Sequence, residues 1–238
     1  MPSDLKILAN RKGYEFTTDN ICLSMLATKP ITDHIQQLFQ FQLVTIGSPL
    51  PTFGDVPAAF PPGVIFDHGV AFSSEDRMVP IRFLHFEPQR IVIDVTGETA
   101  AIDAVFQQLV SALSETRSPD GSPIIGTPER VLAYSEVTAH FSFPLETLVT
   151  PPLRNILCSM TNARENGNNS CFIPYLALSP FSKKPSDKSS SQTSIFPFTL
   201  SVRTGTQPEE HLYFSSAPLD AEAHQAYLNK LELALAPA

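Results

Sequence analysis

The residues Asp67-His68-Gly69 are the feature of this chain closest to a catalytic arrangement. An aspartate beside a histidine can orient the imidazole for proton transfer near neutral pH. The alternative is a solvated turn that leads into residues 70–72, because aspartate and glycine are typical turn residues. We favour the turn and keep Asp67 and His68 as catalytic candidates.

A second group of polar residues depends on the fold. If the strands predicted below share a sheet, their polar faces place the following side chains near one another: Arg82, Asp94, Glu136, His140, Arg203 and Tyr213. Such a face could bind a polar ligand or a partner, and Arg82 and His140 join the catalytic candidates. The alternative, which we favour, is a solvent-facing sheet surface with cross-strand charge pairs.

Residues 48–63 are too rich in proline for a helix or a central strand, so we expect an extended crossover there. This region and the residues after it carry Phe53, Phe60, Phe66 and Phe72. Exposed phenylalanines on extended backbone could dock into a protein partner or a second copy of the chain. The favoured alternative is that the segment covers a sheet edge of its own protein. Phe53, Phe60 and Phe66 are the binding candidates.

Sequence motifs of catalysis and cofactor binding are absent. The chain has no Gly-x-x-x-x-Gly-Lys, Gly-x-Gly-x-x-Gly, His-Glu-x-x-His or Gly-x-Ser-x-Gly. Its three cysteines form no Cys-x-x-Cys, and none of its six histidines is paired at metal-ligand spacing. The sequence therefore predicts no cofactor and no metal site. His34 and His224, near the first turns of two predicted helices, are expected at the surface.

The charge of the chain argues against nucleic acid as a partner. The formal net charge is -8, and the only lysine cluster is Lys183, Lys184 and Lys188. Tight binding of nucleic acid needs a basic stripe that displaces counterions from phosphates. The sequence shows no secretion signal and no apolar run near the roughly 20 residues that cross a bilayer. We therefore expect a cytoplasmic protein that does not enter membranes.

Residues 79–113 show two strands followed by a helix. Apolar residues alternate around Ile81 and Phe83 and again at Ile91, Ile93 and Val95, with turn residues between the two runs. The period then becomes helical, and one helix face carries Ile102, Val105, Phe106, Leu109, Val110 and Leu113. This pattern predicts a ββα unit.

The same order of elements recurs towards the C-terminus. Strands are predicted at residues 194–203 and from Leu212, and then a helix with Asp220 as its N-cap. Its inner face is predicted to carry Ala223, Tyr227, Leu231 and Leu235. A third version near the N-terminus would have strands at Tyr14–Phe16 and Ile21–Thr28 and a helix from Thr32. A further half-buried strand is predicted at residues 131–143.

These patterns predict an α+β fold: antiparallel sheet with helices on one face, built from repeated ββα units in a ferredoxin-like or related two-lobed sandwich. The predicted segments are a first strand-helix unit at 1–47, a Pro-rich crossover at 48–78, a ββα-β unit at 79–144, and a second lobe at 145–238 with a mobile loop at 182–194. For function we favour a non-enzymatic binding or assembly protein, with a protein partner or a homodimer. The alternative is an enzyme or small-ligand binder with a dispersed polar site.

Overall fold

A computed structural model of the chain describes residues 2–47, 63–72, 77–153, 155–156, 175–178 and 197–235. These residues form helices and antiparallel strand pairs, so the predicted α+β class is confirmed. The chain divides into two compact units. The continuous unit is Ala9–Tyr134, and the split unit combines Met1–Leu8 with Ser135–Ala238.

The continuous unit contains most of the helices and strands. Its elements are β1 (Ser3–Glu15, which begins in the split unit), α1 (Leu23–Leu26), α2 (Lys29–Leu38), β2 (Leu43–Ile46), β3 (Val64–Phe72), β4 (Met78–Glu87), β5 (Arg90–Val95) and α3 (Thr99–Ala112). Its strands lie in the order β2-β3-β4-β5-β1. A short 3-10 turn at Thr18–Asn20 follows β1.

The core of the continuous unit lies between its sheet and α3. Ile91, Ile93 and Val95 alternate along β5 and are fully buried, as are Ile102 and Leu109 on α3. Burial of each such side chain stabilises the fold by about 1.5–3 kcal/mol. The periodicity that predicted both elements therefore reflects one shared apolar interior.

The split unit has its own set of strands and its own core. Its elements are β6 (Arg130–His140, which begins in the continuous unit), β7 (Tyr175–Leu178), β8 (Phe198–Val202), β9 (Leu212–Ala217) and α4 (Ala221–Leu235), in the strand order β6-β9-β8-β7. Short helical turns occur at Leu145–Leu148, at residues 151–153 and 155–156, and at Pro208–Glu210. Val137, Phe143, Tyr213 and Leu228 are among the buried residues of its core.

Two predicted elements are corrected by the structure. Residues Ile21–Thr28 were expected to form a strand, but they contain α1, where the N–H of Leu26 donates to the carbonyl of Cys22 at 3.1 Å. This helical turn buries Leu26 completely. The predicted crossover at 48–78 contains β3 and the first residue of β4, so Val64–Phe72 and Met78 belong to strands.

Asp220 caps α4 as the sequence predicts, because its Oδ1 accepts a hydrogen bond from the N–H of Ala223 at 2.7 Å. We expect Asp220→Ala to lower the free energy of unfolding by about 1 kcal/mol, since that N–H loses its partner. Urea unfolding of the purified chain measures this loss. Asp220→Ser, which keeps a capping oxygen, serves as the control. A loss of equal size in both variants would contradict the capping role.

Among the described residues, no helix is both long and apolar enough to span a membrane.

Candidate functional site

The two faces of β1 carry different chemistry. Asn10 donates to Thr99 Oγ1 at 2.9 Å, and Lys12 reaches Asp103 at 2.7 Å, so both side chains face α3. Because side chains alternate along a strand, Arg11 lies on the opposite face. We call the sheet surface on that side of β1 the polar face.

Arg11 and Asp94 form the centre of the polar face. Nε and Nη2 of Arg11 donate to Oδ2 of Asp94 at 3.0 and 2.7 Å, and Nη1 of Arg82 lies 3.8 Å from Oδ1. The guanidinium carbon of Arg11 lies 5.0 Å from the ring centre of Phe83 and 5.4 Å from that of Tyr134. Asp94 is 0% exposed. The carboxylate is thus buried beneath a guanidinium held between two aromatic rings.

A Glu–His pair lies on the same sheet, beside the β4–β5 turn. Nδ1 of His85 lies 3.3 Å from Oε1 of Glu87, and Nε of Arg90 donates to Oε2 of Glu87 at 2.8 Å. Burial acts to raise the pKa of Glu87, but the hydrogen bonds from His85 and Arg90 outweigh it and lower the pKa. Glu87 therefore stays ionised and holds the proton of His85 on Nδ1.

The other nitrogen of His85 is the less ordinary feature. In the neutral ring with Nδ1 as the donor, Nε2 is an acceptor. This atom is buried and has no hydrogen-bond partner among the residues that the structure describes. Here a carboxylate orients the imidazole through one nitrogen, and the second nitrogen makes no hydrogen bond among the described residues. Such an arrangement is suited to acid-base chemistry or ligand binding. The sequence signal for this pair is a histidine and a glutamate two residues apart on a strand.

The split unit holds a buried histidine network. Ser135 Oγ lies 2.8 Å from Nδ1 of His224, and Ser215 Oγ lies 2.8 Å from Nε2. Ser215 donates its own proton to the carbonyl of Thr199 at 2.8 Å. Its oxygen must therefore accept from Nε2–H of His224, and Nδ1 must accept from Ser135. Every polar atom of this network has a partner.

The prediction that His224 lies at the surface is wrong, because this side chain is completely buried in the structure. Burial lowers the pKa of His224 from 6.5 to about 4, so the ring is neutral at pH 7. A serine beside a histidine resembles a nucleophile and its base. The network is buried, however, because solvent does not reach Ser135, Ser215 or His224. It therefore stabilises the interior of the unit and is not accessible to a substrate.

The structure places three catalytic candidates on neighbouring strands. Asp67 pairs with Phe83, and Gly69 pairs with Ile81, so the register puts His68 across from Arg82. The predicted solvated turn at residues 67–69 is wrong, because these residues lie inside β3. His68 is exposed and adopts a left-handed backbone conformation with φ of 56°, which few residues other than glycine tolerate without strain.

Two members of the predicted polar group, His140 and Tyr213, belong to the split unit, whereas Asp94 lies beside Arg82 in the continuous unit. His140 lies in the split unit, where its Nδ1 is 3.0 Å from the carbonyl of Glu210. Tyr213 was expected on a polar face but is buried, and its hydroxyl donates to the carbonyl of Phe143 at 3.2 Å. Burial raises the pKa of Tyr213 to about 12. Tyr213 is therefore a core residue of its unit.

The proposed docking phenylalanines divide into two groups. Phe66 lies on β3 and is completely buried, with its ring centre 5.7 Å from that of Phe86, so its predicted role as a docking residue is wrong. Burial alternates along β3, and the position of Phe66 directs its side chain into the core. Phe53 and Phe60 lie outside the described residues, as do the lysine cluster at 183–188 and the predicted loop at 182–194.

In the described part of the chain, no group of three or more His, Cys, Asp or Glu side chains could hold a metal ion. Comparison of the sequence with protein-family models gives no match. Comparison with curated proteins gives none either. The functional argument therefore depends on the chain's own residues.

Proposed function

We propose that this chain is a non-enzymatic binding or assembly protein that pairs with an extended segment of a protein along the outer edge of β2. The supporting observation is that β2 is the terminal strand of its unit within the described residues and that Leu43 and Ile46 on it are 55% and 58% exposed. Terminal strands are usually protected by charged residues or proline. Residues 39–47 contain neither.

The backbone of β2 has the hydrogen-bonding groups that such pairing needs. The N–H of Gly47 donates to the carbonyl of Gly63 at 2.7 Å, so Gly47 belongs to a bonded pair with β3. Bonded and non-bonded pairs alternate along antiparallel strands. The N–H and C=O of Thr45 therefore point towards β3, whereas those of Val44 and Ile46 point away from it. An added strand would bond to these two residues.

Several further features support a binding role. The Ser–His–Ser network is closed, and the charges of Arg11 and Asp94 satisfy each other.

The finer fold that we propose for this role is a repeated ββα unit in a ferredoxin-like arrangement. Its support is that β4, β5 and α3 follow one another in the chain and that β8, β9 and α4 do the same. Cytoplasmic location stays a prediction.

A photoreactive amino acid at Leu43 tests the proposed binding edge in cells that produce the full chain. We expect an adduct with one defined protein. A mixture of adducts with many proteins would contradict a specific partner. Ile46→Pro should remove the adduct, since proline deletes an outward N–H but leaves the β3-facing groups of Thr45 and Gly47 intact. The same photoreactive residue at Tyr227, exposed on α4, is the control. An adduct at Leu43 that survives Ile46→Pro would contradict pairing through β2.

The second candidate function is binding of a small ligand that donates a hydrogen bond, and the bare Nε2 of His85 favours it. We expect a compound with a hydroxyl or ammonium group to raise the melting temperature of the wild-type chain. His85→Phe should abolish that increase, whereas His140→Phe should preserve it. A panel of small polyols and amines in a thermal-shift assay provides the measurement. Equal increases for wild type and His85→Phe would exclude His85 as the binding group.

A further inference from the structure

We propose that the segment pairing with β2 is β2 of a second copy of this chain, so that two copies form a symmetric dimer with a shared sheet edge. This inference rests on the proposed function and names its partner. Three properties of β2 support it: its outward backbone groups, its side chains and its lack of charge.

The outward backbone groups match those of a second copy. A twofold axis perpendicular to a sheet keeps each side chain on its own face, so residues that pair across the axis must share a face. Val44 and Ile46 are two residues apart, share a face, and are the residues whose N–H and C=O point away from β3. Val44 therefore pairs with Ile46 of the second copy, each exchanging both backbone bonds. Thr45 then lies on the axis, opposite Thr45 of the second copy.

The side chains fit the same register. Val44 is half-buried and packs against the core of the continuous unit, whereas Ile46 is mostly exposed. In the dimer the exposed Ile46 of one copy lies beside Val44 of the other. A cross-strand apolar pair of this kind contributes about 0.2–1 kcal/mol, and the symmetry repeats it. The contact thus covers Ile46, one of the two exposed apolar side chains of β2.

Charge does not oppose a second copy at this edge. Each copy carries a formal charge of -8, so two copies repel unless they meet at a neutral surface. Residues 39–47 are such a surface, because they include no charged side chain. A basic partner would gain nothing from this edge, since β2 offers it no carboxylate. β7, a terminal strand of the split unit among the described residues, is flanked in the sequence by Pro174 and Pro180, residues that disfavour strand pairing.

Light scattering during size exclusion tests the dimer on the purified full chain. We expect twice the 26.1 kDa mass of one chain at micromolar concentration. Thr45→Lys and Thr45→Glu should each raise the dissociation constant at least tenfold, since like charges then meet on the axis. A mixture of these two variants should restore a one-to-one dimer. Leu233→Ser, at an exposed position of α4, is the control and should leave the dimer intact.

Each contrary result overturns the inference in a recognisable way. A wild-type chain that stays monomeric at all concentrations would exclude the second copy, and a Leu43 adduct with a different protein would then preserve the proposed function. A dimer that survives both Thr45 variants would lie at another surface. Folded, monomeric Thr45→Lys and Thr45→Glu chains that fail to associate with each other would exclude a twofold axis at Thr45. Circular dichroism of each variant establishes that it is folded.

Discussion

Asp94→Ala is expected to lower the free energy of unfolding by about 3 kcal/mol. The carboxylate is fully buried and is the acceptor for Nε and Nη2 of Arg11, with Arg82 3.8 Å away. Its removal leaves the Arg11 guanidinium without its anion, between the rings of Phe83 and Tyr134. Losing one partner of a buried ion pair typically costs several kcal/mol, and the partial exposure of Arg11 keeps the loss near the lower end.

Two variants separate the charge of Asp94 from its volume. Asp94→Asn keeps the size of the side chain and should lose nearly as much stability as Asp94→Ala. Asp33→Ala, which breaks an exposed pair with Lys29 one helical turn away, should cost less than about 0.5 kcal/mol. Urea unfolding at pH 7 provides all three values. A loss for Asp94→Ala as small as that for Asp33→Ala would show that the buried pair contributes little.

The stability of the chain is expected to fall by about 3 kcal/mol between pH 6.5 and pH 4 through His224 alone. The folded-state pKa of His224 is lowered to about 4 by burial, below its ordinary value of 6.5. Between these values the unfolded chain takes up a proton on this ring and the folded chain does not. The contribution is therefore fully present above pH 6.5 and decreases as the pH falls towards 4.

His224→Phe isolates this effect from the titration of carboxyl groups. The variant should lose about 2 kcal/mol at pH 7.5, because the hydroxyls of Ser135 and Ser215 lose a buried partner. The remaining difference from wild type should then shrink as the pH falls. His34→Asn changes an exposed histidine and should track wild type throughout. A constant difference between wild type and His224→Phe from pH 7.5 to 4.5 would contradict a neutral buried ring.

The elements that local periodicity predicts well are those with one uniformly apolar face. Alternation around Ile81 and Ile91 predicted strands that the structure places at Met78–Glu87 and Arg90–Val95. The helical period from Ile102 predicted α3. In these elements the side chains that face the core are nearly all apolar, so the sequence pattern and the buried surface coincide.

The helix α4 was predicted, but its inner face only in part: Leu231 and Leu235 pack against the core of the unit as expected. Residues spaced by four, such as Tyr227 and Leu231, suggested one apolar stripe, yet Tyr227 is exposed. The buried stripe instead includes His224, Leu228 and Glu232. Because His224 and Glu232 in this stripe are polar, apolar spacing alone does not identify it. Their partners, Ser135 and the backbone of Ser142, lie far away in the sequence, so no local pattern reveals them.

The candidate site was beyond local sequence reasoning for a similar reason. Alternation correctly placed Asp94 on the polar side of β5, and a solvent-facing surface was the favoured interpretation. In the structure Asp94 is buried and pairs with Arg11, whose guanidinium lies over the ring of Tyr134; both residues come from distant parts of the sequence. Likewise, only the strand order shows that β2 is a terminal strand. Periodicity identifies faces, whereas long-range pairing decides which faces and edges remain open.

The division of the chain between the two units has a consequence for how the protein is made. The continuous unit is encoded by one uninterrupted stretch, Ala9–Tyr134, whereas the split unit needs Met1–Leu8 together with residues from Ser135 onwards. During synthesis the continuous unit can fold as soon as its last strand leaves the ribosome. The first eight residues must wait for β6 and later strands, and their pairing closes a long loop. We therefore expect a fast and a slow refolding phase, with completion of the split unit as the slow one.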